Sequence, residues 1–109
     1  MAAHTTLSQM AGVDDDIIDA LRRNTPIGDA KLEALRQFAI AINESRGWPS
    51  EAQLDAFMAA GYSRQTVLEV ILGTTLKILS NYTNPVADPA LAAAFKAHDW
   101  DAVLPIAAE

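Results

Sequence analysis

Apolar residues recur every three or four positions along most of this chain, which is the spacing of amphipathic helices. The longest such segment spans residues 64–81, where apolar residues occupy most of the helix circumference: Val67, Leu68, Val70, Ile71, Leu72, Leu76, Ile78 and Leu79. A helix of this kind must be covered on several sides. Because a chain of 109 residues has few other helices to cover it, the pattern predicts that another subunit supplies part of the cover.

Two shorter helices are predicted near the start of the chain. Residues 2–11 are good helix formers, Gly12 is a plausible stop, and the segment resembles the last turns of a helix that began before Met1. A second helix begins at the acidic run 14–16 and ends at Arg22 and Arg23. Negative charge at the first turn and positive charge at the last turn favour a helix, so these charges are interpreted as structural rather than metal-binding.

Capping residues mark the next two helices. Asp29 is expected to cap a third helix that ends near Gly47 and buries an apolar stripe: Leu32, Leu35, Phe38, Ala39 and Ile42. Ser50 and Gln53 have the spacing of a capping box at the start of a fourth helix, residues 51–60. That helix is expected to bury Leu54, Phe57 and Met58, and Ser63 caps the apolar helix that follows.

The last part of the chain is predicted to be a loop, a short helix and an apolar tail. Residues 81–89 contain two prolines and two asparagines, which favours a loop. A short helix then spans residues 90–98, and the tail that contains Trp100 and Ile106 docks on the body or on a neighbour. No segment has the alternation of a strand, so the sequence predicts a single all-α domain over residues 1–109, a compact bundle of five or six helices.

The composition and charge of the chain restrict which partners and which cellular location are expected. The net charge is -6 and the eight basic residues are scattered, so nucleic acid is not an expected partner. No apolar run reaches the roughly 20 residues of a membrane span, and no secretory signal is present, so we expect no membrane partner and a cytoplasmic location. The chain has no cysteine, so thiol chemistry cannot occur within it.

Several short elements occur in a specific order and spacing, at residues 2–5, 10–13, 32–39, 46–47, 57–63, 67–71 and 81–84. In this order and spacing they resemble the alkylhydroperoxidase D-like, carboxymuconolactone decarboxylase-like family. The resemblance covers nearly the whole chain, as the C-terminal two thirds of a typical member. The resemblance implies an oligomeric helical protein.

In its peroxidase-active members the family has a Cys-x-x-Cys pair, a His four residues beyond the second Cys, and an upstream Glu. By that resemblance His4 is the proton-relay residue, and the second cysteine falls one position before Met1. The domain is therefore expected to be truncated at its N-terminus. Three explanations for the missing cysteines remain open: a start codon assigned too late, a trimmed fragment, or a natural short paralogue. Pro85-Val86 stands where the family has a His-containing segment.

Two residues are candidate catalytic groups. In the catalytic interpretation, His4 would pass a proton to or from a nearby thiol. In the alternative interpretation, it is a surface histidine with no chemical role. Glu69 is a lone carboxylate in the apolar run 67–72, and burial would raise its pKa. The alternative for Glu69 is a structural hydrogen bond, an ion pair with Arg64 or Lys77, or a place on the wet edge of the helix. The two histidines, His4 and His98, lack a metal-ligand spacing, so neither a metal nor a cofactor is predicted.

The sequence supports three functional hypotheses. The first is a peroxidase-related oxidoreductase of this family, in which the present chain lacks the redox cysteines and is inactive by itself. The second is a non-catalytic helical module for homo-oligomerisation or for binding a small ligand. A cofactor-independent decarboxylase or lactone-type enzyme is the third. The expected partners are further copies of the chain and a small hydroperoxide or hydrophobic ligand.

Overall fold

The computed structural model describes residues 2–87, which form five α-helices and no strand. The helices are α1 (Ala2–Met10), α2 (Asp15–Arg23), α3 (Ala30–Glu44), α4 (Glu51–Ala59) and α5 (Arg64–Ala87). The all-α prediction is confirmed over these residues. The short helix expected at residues 90–98 and the apolar tail after it lie outside the described residues.

The helix ends follow local signals in the sequence. Asp15 and Asp16 occupy the first turn of α2, and Arg22 and Arg23 occupy its last turn, as predicted. Asn24 ends the helix in the left-handed conformation, with φ of 53°. Asparagine tolerates this region better than most residues, so it can replace glycine as the residue that ends a helix.

Side-chain caps fix the starts of α3 and α4. Asp29 Oδ1 accepts a hydrogen bond of 2.8 Å from the backbone N–H of Leu32. Ser50 Oγ accepts one of 3.2 Å from the N–H of Gln53, and Gln53 Oε1 accepts one of 2.8 Å from the N–H of Ser50. Both predicted caps are confirmed, and each satisfies backbone donors that the helix itself leaves unpaired.

Backbone contacts divide the chain into two compact units, and within the described residues these are 2–25 and 26–87. In the first unit α1 packs against α2. Thr5 is buried there, and its hydroxyl accepts a hydrogen bond from Nη1 of Arg22. Gln9 Nε2 also donates to Asp15 Oδ1 at 3.1 Å. The expectation of one domain over residues 1–109 stays a prediction.

The second unit has an aromatic core at which α3 contacts both α4 and α5. Phe38, Ile42 and Phe57 are buried at its centre, and the apolar residues packed around them are Leu35, Leu54, Tyr62, Val67 and Val70. The Phe57 ring stacks between Phe38 and Tyr62, with centroid distances of 4.2 Å and 4.4 Å. Phe38, Ile42 and Phe57 were predicted to be buried from helical periodicity alone.

The end of α5 differs from the sequence prediction. A loop was expected from Asn81, but the helix continues through Pro85 to Ala87. The loop prediction is therefore wrong for residues 81–87. Pro85 lies inside the helix, where its missing N–H costs one hydrogen bond to the carbonyl of Asn81. The hydroxyl of Thr83 donates to the Leu79 carbonyl at 2.7 Å within the same segment.

None of the helices within residues 2–87 combines the length and the apolar character needed to cross a membrane.

Candidate functional site

His4, the predicted proton-relay residue, lies exposed on the first turn of α1 in the first unit. The structure thus leaves the imidazole open to solvent. Glu69 belongs to α5 in the second unit. The two units are separate compact bodies, so each candidate residue is assessed within its own unit.

Glu69 has the surroundings of a solvated side chain. It is exposed, and its Oε1 accepts a hydrogen bond of 2.9 Å from Nε2 of Gln65, one helical turn earlier. The burial that the apolar run suggested for Glu69 is not found in the single protomer. The structure favours the alternative stated from the sequence, a hydrogen-bonded place on the wet edge of α5.

The described part of the chain contains no group of three or more His, Asp and Glu side chains that could hold a metal ion. His98 lies outside the described residues.

A carboxylate that the sequence analysis did not single out, Glu33, is the most highly bonded polar group in the second unit. Its oxygens accept from the backbone N–H of Ile27 at 2.8 Å, from Nε and Nη2 of Arg36 at 2.9 Å and 2.8 Å, and from Nε2 of Gln37 at 2.7 Å. The bonds from Arg36, then those from Ile27 and Gln37, lower the pKa of Glu33 from 4.5 to about 2. A carboxylate held so firmly in its charged form is a poor proton donor or acceptor near neutral pH.

Glu33 also borders a cavity of about 360 Å³ between α3 and α4. The other lining residues are Ala30, Ala34, Gln37, Phe38, Gln53, Ala56 and Phe57. The Glu33 oxygens are already occupied by the four donors, and the oxygen of Gln53 is occupied by the N–H of Ser50. The cavity therefore offers an aromatic floor but no group prepared for catalysis.

Tyr62, at the edge of the aromatic core, is bound in a structural role. Its hydroxyl donates a hydrogen bond of 2.8 Å to the backbone carbonyl of Lys31. Burial, with a further contribution from the Asp29 carboxylate, raises the pKa of Tyr62. The phenol therefore stays protonated and ties the start of α5 to the start of α3.

Most of the large apolar side chains that the second unit exposes lie on α5. We give the name α5 seam to the surface that consists of Leu68, Leu72, Thr75, Leu79, Tyr82 and Val86. Apart from Thr75, these residues are between 60% and 88% exposed. The intervals between successive members are four, three, four, three and four residues, which is the heptad spacing of helices that pack against other helices.

Two threonine hydroxyls at the seam already have hydrogen-bond acceptors within α5. The hydroxyl of Thr75 donates to the carbonyl of Ile71 at 2.8 Å, and that of Thr83 donates to the carbonyl of Leu79 at 2.7 Å. Both threonines lie with Ile78 and three seam residues around a shallow depression of about 540 Å³. Burying this surface would therefore leave no threonine hydroxyl without a partner.

The opposite side of α5 faces the protein core. Val67 and Val70 are partly buried there and pack against the cluster formed by Phe38, Ile42 and Phe57. One helix thus has two apolar faces, of which the described residues cover one. The sequence predicted that α5 is apolar nearly all round, but its pattern was not divided into two faces. The heptad spacing of residues 68–86 was the signal that could have done so.

No protein-family model matches this chain, and no curated protein matches its sequence. The likeness to the alkylhydroperoxidase D-like family stays a prediction drawn from short sequence elements.

Proposed function

We propose that this chain is a helical self-association module, in which the α5 seam packs against the α5 seam of a second copy. The observation that supports this proposal most directly is the heptad-spaced seam itself. It extends about 27 Å at 1.5 Å per residue, and the protomer leaves it exposed. Monomeric proteins rarely expose a continuous apolar surface of this kind.

The size of the seam is sufficient for a reversible complex. Full burial of a leucine contributes about 1.5 to 3 kcal/mol, so a side chain that is two-thirds exposed can gain about 1 to 2 kcal/mol on pairing. Five such residues on each of two copies contribute about 10 to 20 kcal/mol, against an association cost of about 4 to 15 kcal/mol. The gain from burial exceeds the association cost over most of these ranges, so we expect pairing whose extent depends on protein concentration.

The shape of the seam favours a helix as its partner over a small ligand. Small-molecule sites are concave and bury most of the ligand surface, which requires walls from several elements. Among residues 2–87, the depression beside the seam is lined by residues of α5 alone. A second helix of the same spacing can cover such a straight surface along its whole length.

Sedimentation velocity over about a hundredfold dilution series tests this proposal. We expect the wild type to shift from monomer to dimer as concentration rises, and Leu79→Glu to remain monomeric with an unchanged helical circular dichroism spectrum. Leu7→Glu is the matched control, because Leu7 is a leucine of α1 that is 54% exposed and lies outside the seam. A wild type that is monomeric throughout, or a Leu79→Glu variant that dimerises normally, contradicts the proposal.

A second candidate function follows from the family resemblance. In this proposal the chain is the helical, oligomeric scaffold of a peroxidase-related oxidoreductase with the alkylhydroperoxidase D-like fold. A dithiol outside these 109 residues would be oxidised to a disulfide while the hydroperoxide O–O bond breaks to give an alcohol and water. His4 supports this candidate because the family resemblance puts it at the proton-relay position and its side chain is exposed on the first turn of α1.

The upstream DNA and a longer gene product test this second candidate. An in-frame Cys-x-x-Cys immediately before Met1 would support it, and a stop codon there would remove it. The longer protein should reduce a hydroperoxide with a dithiol donor, whereas the 109-residue chain should not. Replacing His4 with alanine in the longer protein should slow the reaction and shift its pH profile if the imidazole relays a proton.

A further inference from the structure

We infer that two copies of α5 pair in parallel and in register, with Arg64 of each copy forming an ion pair with Glu69 of the other. This inference rests on the proposed self-association through the α5 seam. It adds the orientation of the partner and the charged residues that select it.

The heptad spacing assigns each seam residue a position. Leu72, Leu79 and Val86 take the a positions, and Leu68, Thr75 and Tyr82 take the d positions. Arg64 then falls at g and Glu69 at e, five residues later along the chain. In a parallel pair of helices a g residue faces the e residue that lies five positions further along the partner. The two-fold symmetry of the pair produces this contact twice.

Both charged side chains are available for such a contact. Arg64 and Glu69 are exposed. Within residues 2–87 no ion pair involves Arg64. Glu69 accepts one hydrogen bond at Oε1 from the neutral side chain of Gln65, and a carboxylate can accept several.

An antiparallel pair gives Glu69 no charged neighbour among the described residues. If two antiparallel copies overlap along the full seam, Glu69 lies beside Pro85 of the partner copy, which carries no charge. The parallel arrangement instead places Arg64 of the partner opposite Glu69, and flanking charges of this kind act mainly on the choice of partner and orientation.

Charge exchange tests the ion pairs. Arg64→Glu and Glu69→Arg each place like charges opposite one another in a homodimer, so each should raise the Kd of self-association by about five- to thirtyfold at low salt. Mixing the two variants restores both opposite-charge contacts in the heterodimer. We therefore expect native mass spectrometry of the mixture to show the heterodimer well above its statistical share, and the double variant to dimerise as the wild type does.

A single introduced cysteine tests the orientation independently, because the chain has none of its own. Oxidised glutathione, as the oxidant, takes up the two electrons and two protons released when two Val86→Cys thiols form one disulfide. Parallel pairing brings these thiols together, whereas antiparallel pairing separates them by about 27 Å, well beyond disulfide reach. Met10→Cys is the matched control, since Met10 is 79% exposed on α1 and lies outside the seam.

The outcomes separate this inference from the proposal on which it rests. Rapid cross-linking of Val86→Cys, slow cross-linking of Met10→Cys and heterodimer enrichment together support parallel pairing. A wild type that dimerises through the seam, with neither cross-linking of Val86→Cys nor heterodimer enrichment, overturns the inference and leaves self-association standing. A wild type that is monomeric at all concentrations overturns both.

Discussion

Glu33 shows how a single carboxylate can join a turn to a helix. It accepts one bond from the backbone of the turn before α3 and three from side chains on α3 itself. Hydrogen bonds to a charged acceptor are stronger than neutral ones, so the set holds the entry to α3 in one conformation. The same bonds make the contribution of Glu33 to stability depend on pH.

We expect Glu33→Gln to remove an acid-sensitive part of the stability. Because the pKa of Glu33 is lowered from 4.5 to about 2, its stabilising effect is complete above pH 4.5 and is lost as the pH falls toward 2. The thermal midpoint of the wild type, followed by circular dichroism, should therefore fall across this window. Glu33→Gln should have a lower thermal midpoint than the wild type at pH 7, and this midpoint should fall less as the pH is lowered from 4.5 toward 2.

The companion variant Arg36→Gln tests the cause of this shift. Arg36 supplies two of the four bonds to Glu33. The acid-induced fall in the thermal midpoint should therefore occur at higher pH in Arg36→Gln than in the wild type. If Glu33→Gln and the wild type lose stability in parallel between pH 4.5 and 2, the role assigned to Glu33 is wrong.

Part of the Glu33 cluster could be predicted from the sequence. Arg36 and Gln37 follow Glu33 by three and four residues, the spacing at which helical side chains meet. The bond from Ile27 could not be predicted, because it depends on how the turn before α3 folds back toward the helix. The charges of α2, in contrast, were interpreted correctly because their effect depends only on position along the helix.

At the scale of helices, the capping box of α4 is a local device with a measurable contribution. Ser50→Ala should lower the free energy of unfolding by about 1 kcal/mol, because one backbone donor at the start of α4 loses its acceptor. Urea unfolding followed at 222 nm measures the change. Gln53→Ala should lower the free energy of unfolding less than Ser50→Ala does. The double variant should lower it by less than the sum of the two single changes, because the two bonds belong to one motif.

Ser80→Ala provides the control for this prediction. Ser80 lies within α5 and donates to the carbonyl of Lys77 at 3.0 Å, so its removal affects no helix end. If Ser50→Ala and Ser80→Ala have equal effects, the capping box contributes nothing beyond an ordinary serine.

The contrast between α4 and α5 explains which helix ends could be predicted. The start of α4 depends on residues within one turn, and the sequence predicted it correctly. The end of α5 was placed near Asn81 because residues 81–89 contain two prolines and two asparagines, yet the helix reaches Ala87. Pro85 lacks only its own N–H, so the residues around it can still form helical hydrogen bonds.

For the whole molecule, the proposed pairing makes stability depend on concentration. A dimer of folded chains is favoured by mass action, so the thermal midpoint should rise as protein concentration increases. Scanning calorimetry at several concentrations measures this rise, and Leu79→Glu should abolish it while retaining a cooperative transition. A wild-type midpoint that does not change with concentration would contradict the proposed self-association.

The aromatic core could be predicted from periodicity, but the partner of α5 could not. Phe38 and Phe57 recur with their neighbours at helical spacing, and the structure buries both. For α5 the sequence indicates apolar residues on nearly every side, and it does not indicate which of them the chain covers itself. That distinction depends on Val67 and Val70 packing against the core, a contact between distant parts of the sequence. The roles predicted for His4 and Glu69 stay predictions.

The division of α5 into two apolar faces leaves a narrow third strip, formed by Gly73, Lys77, Ser80 and Asn84, between the core and the seam. Its residues are small, amide-bearing or charged. When both apolar faces are covered, this strip remains in water, as does the edge of the helix that carries Gln65. It is therefore a place on α5 where a fluorophore or an affinity tag can be attached away from both the core contacts and the seam.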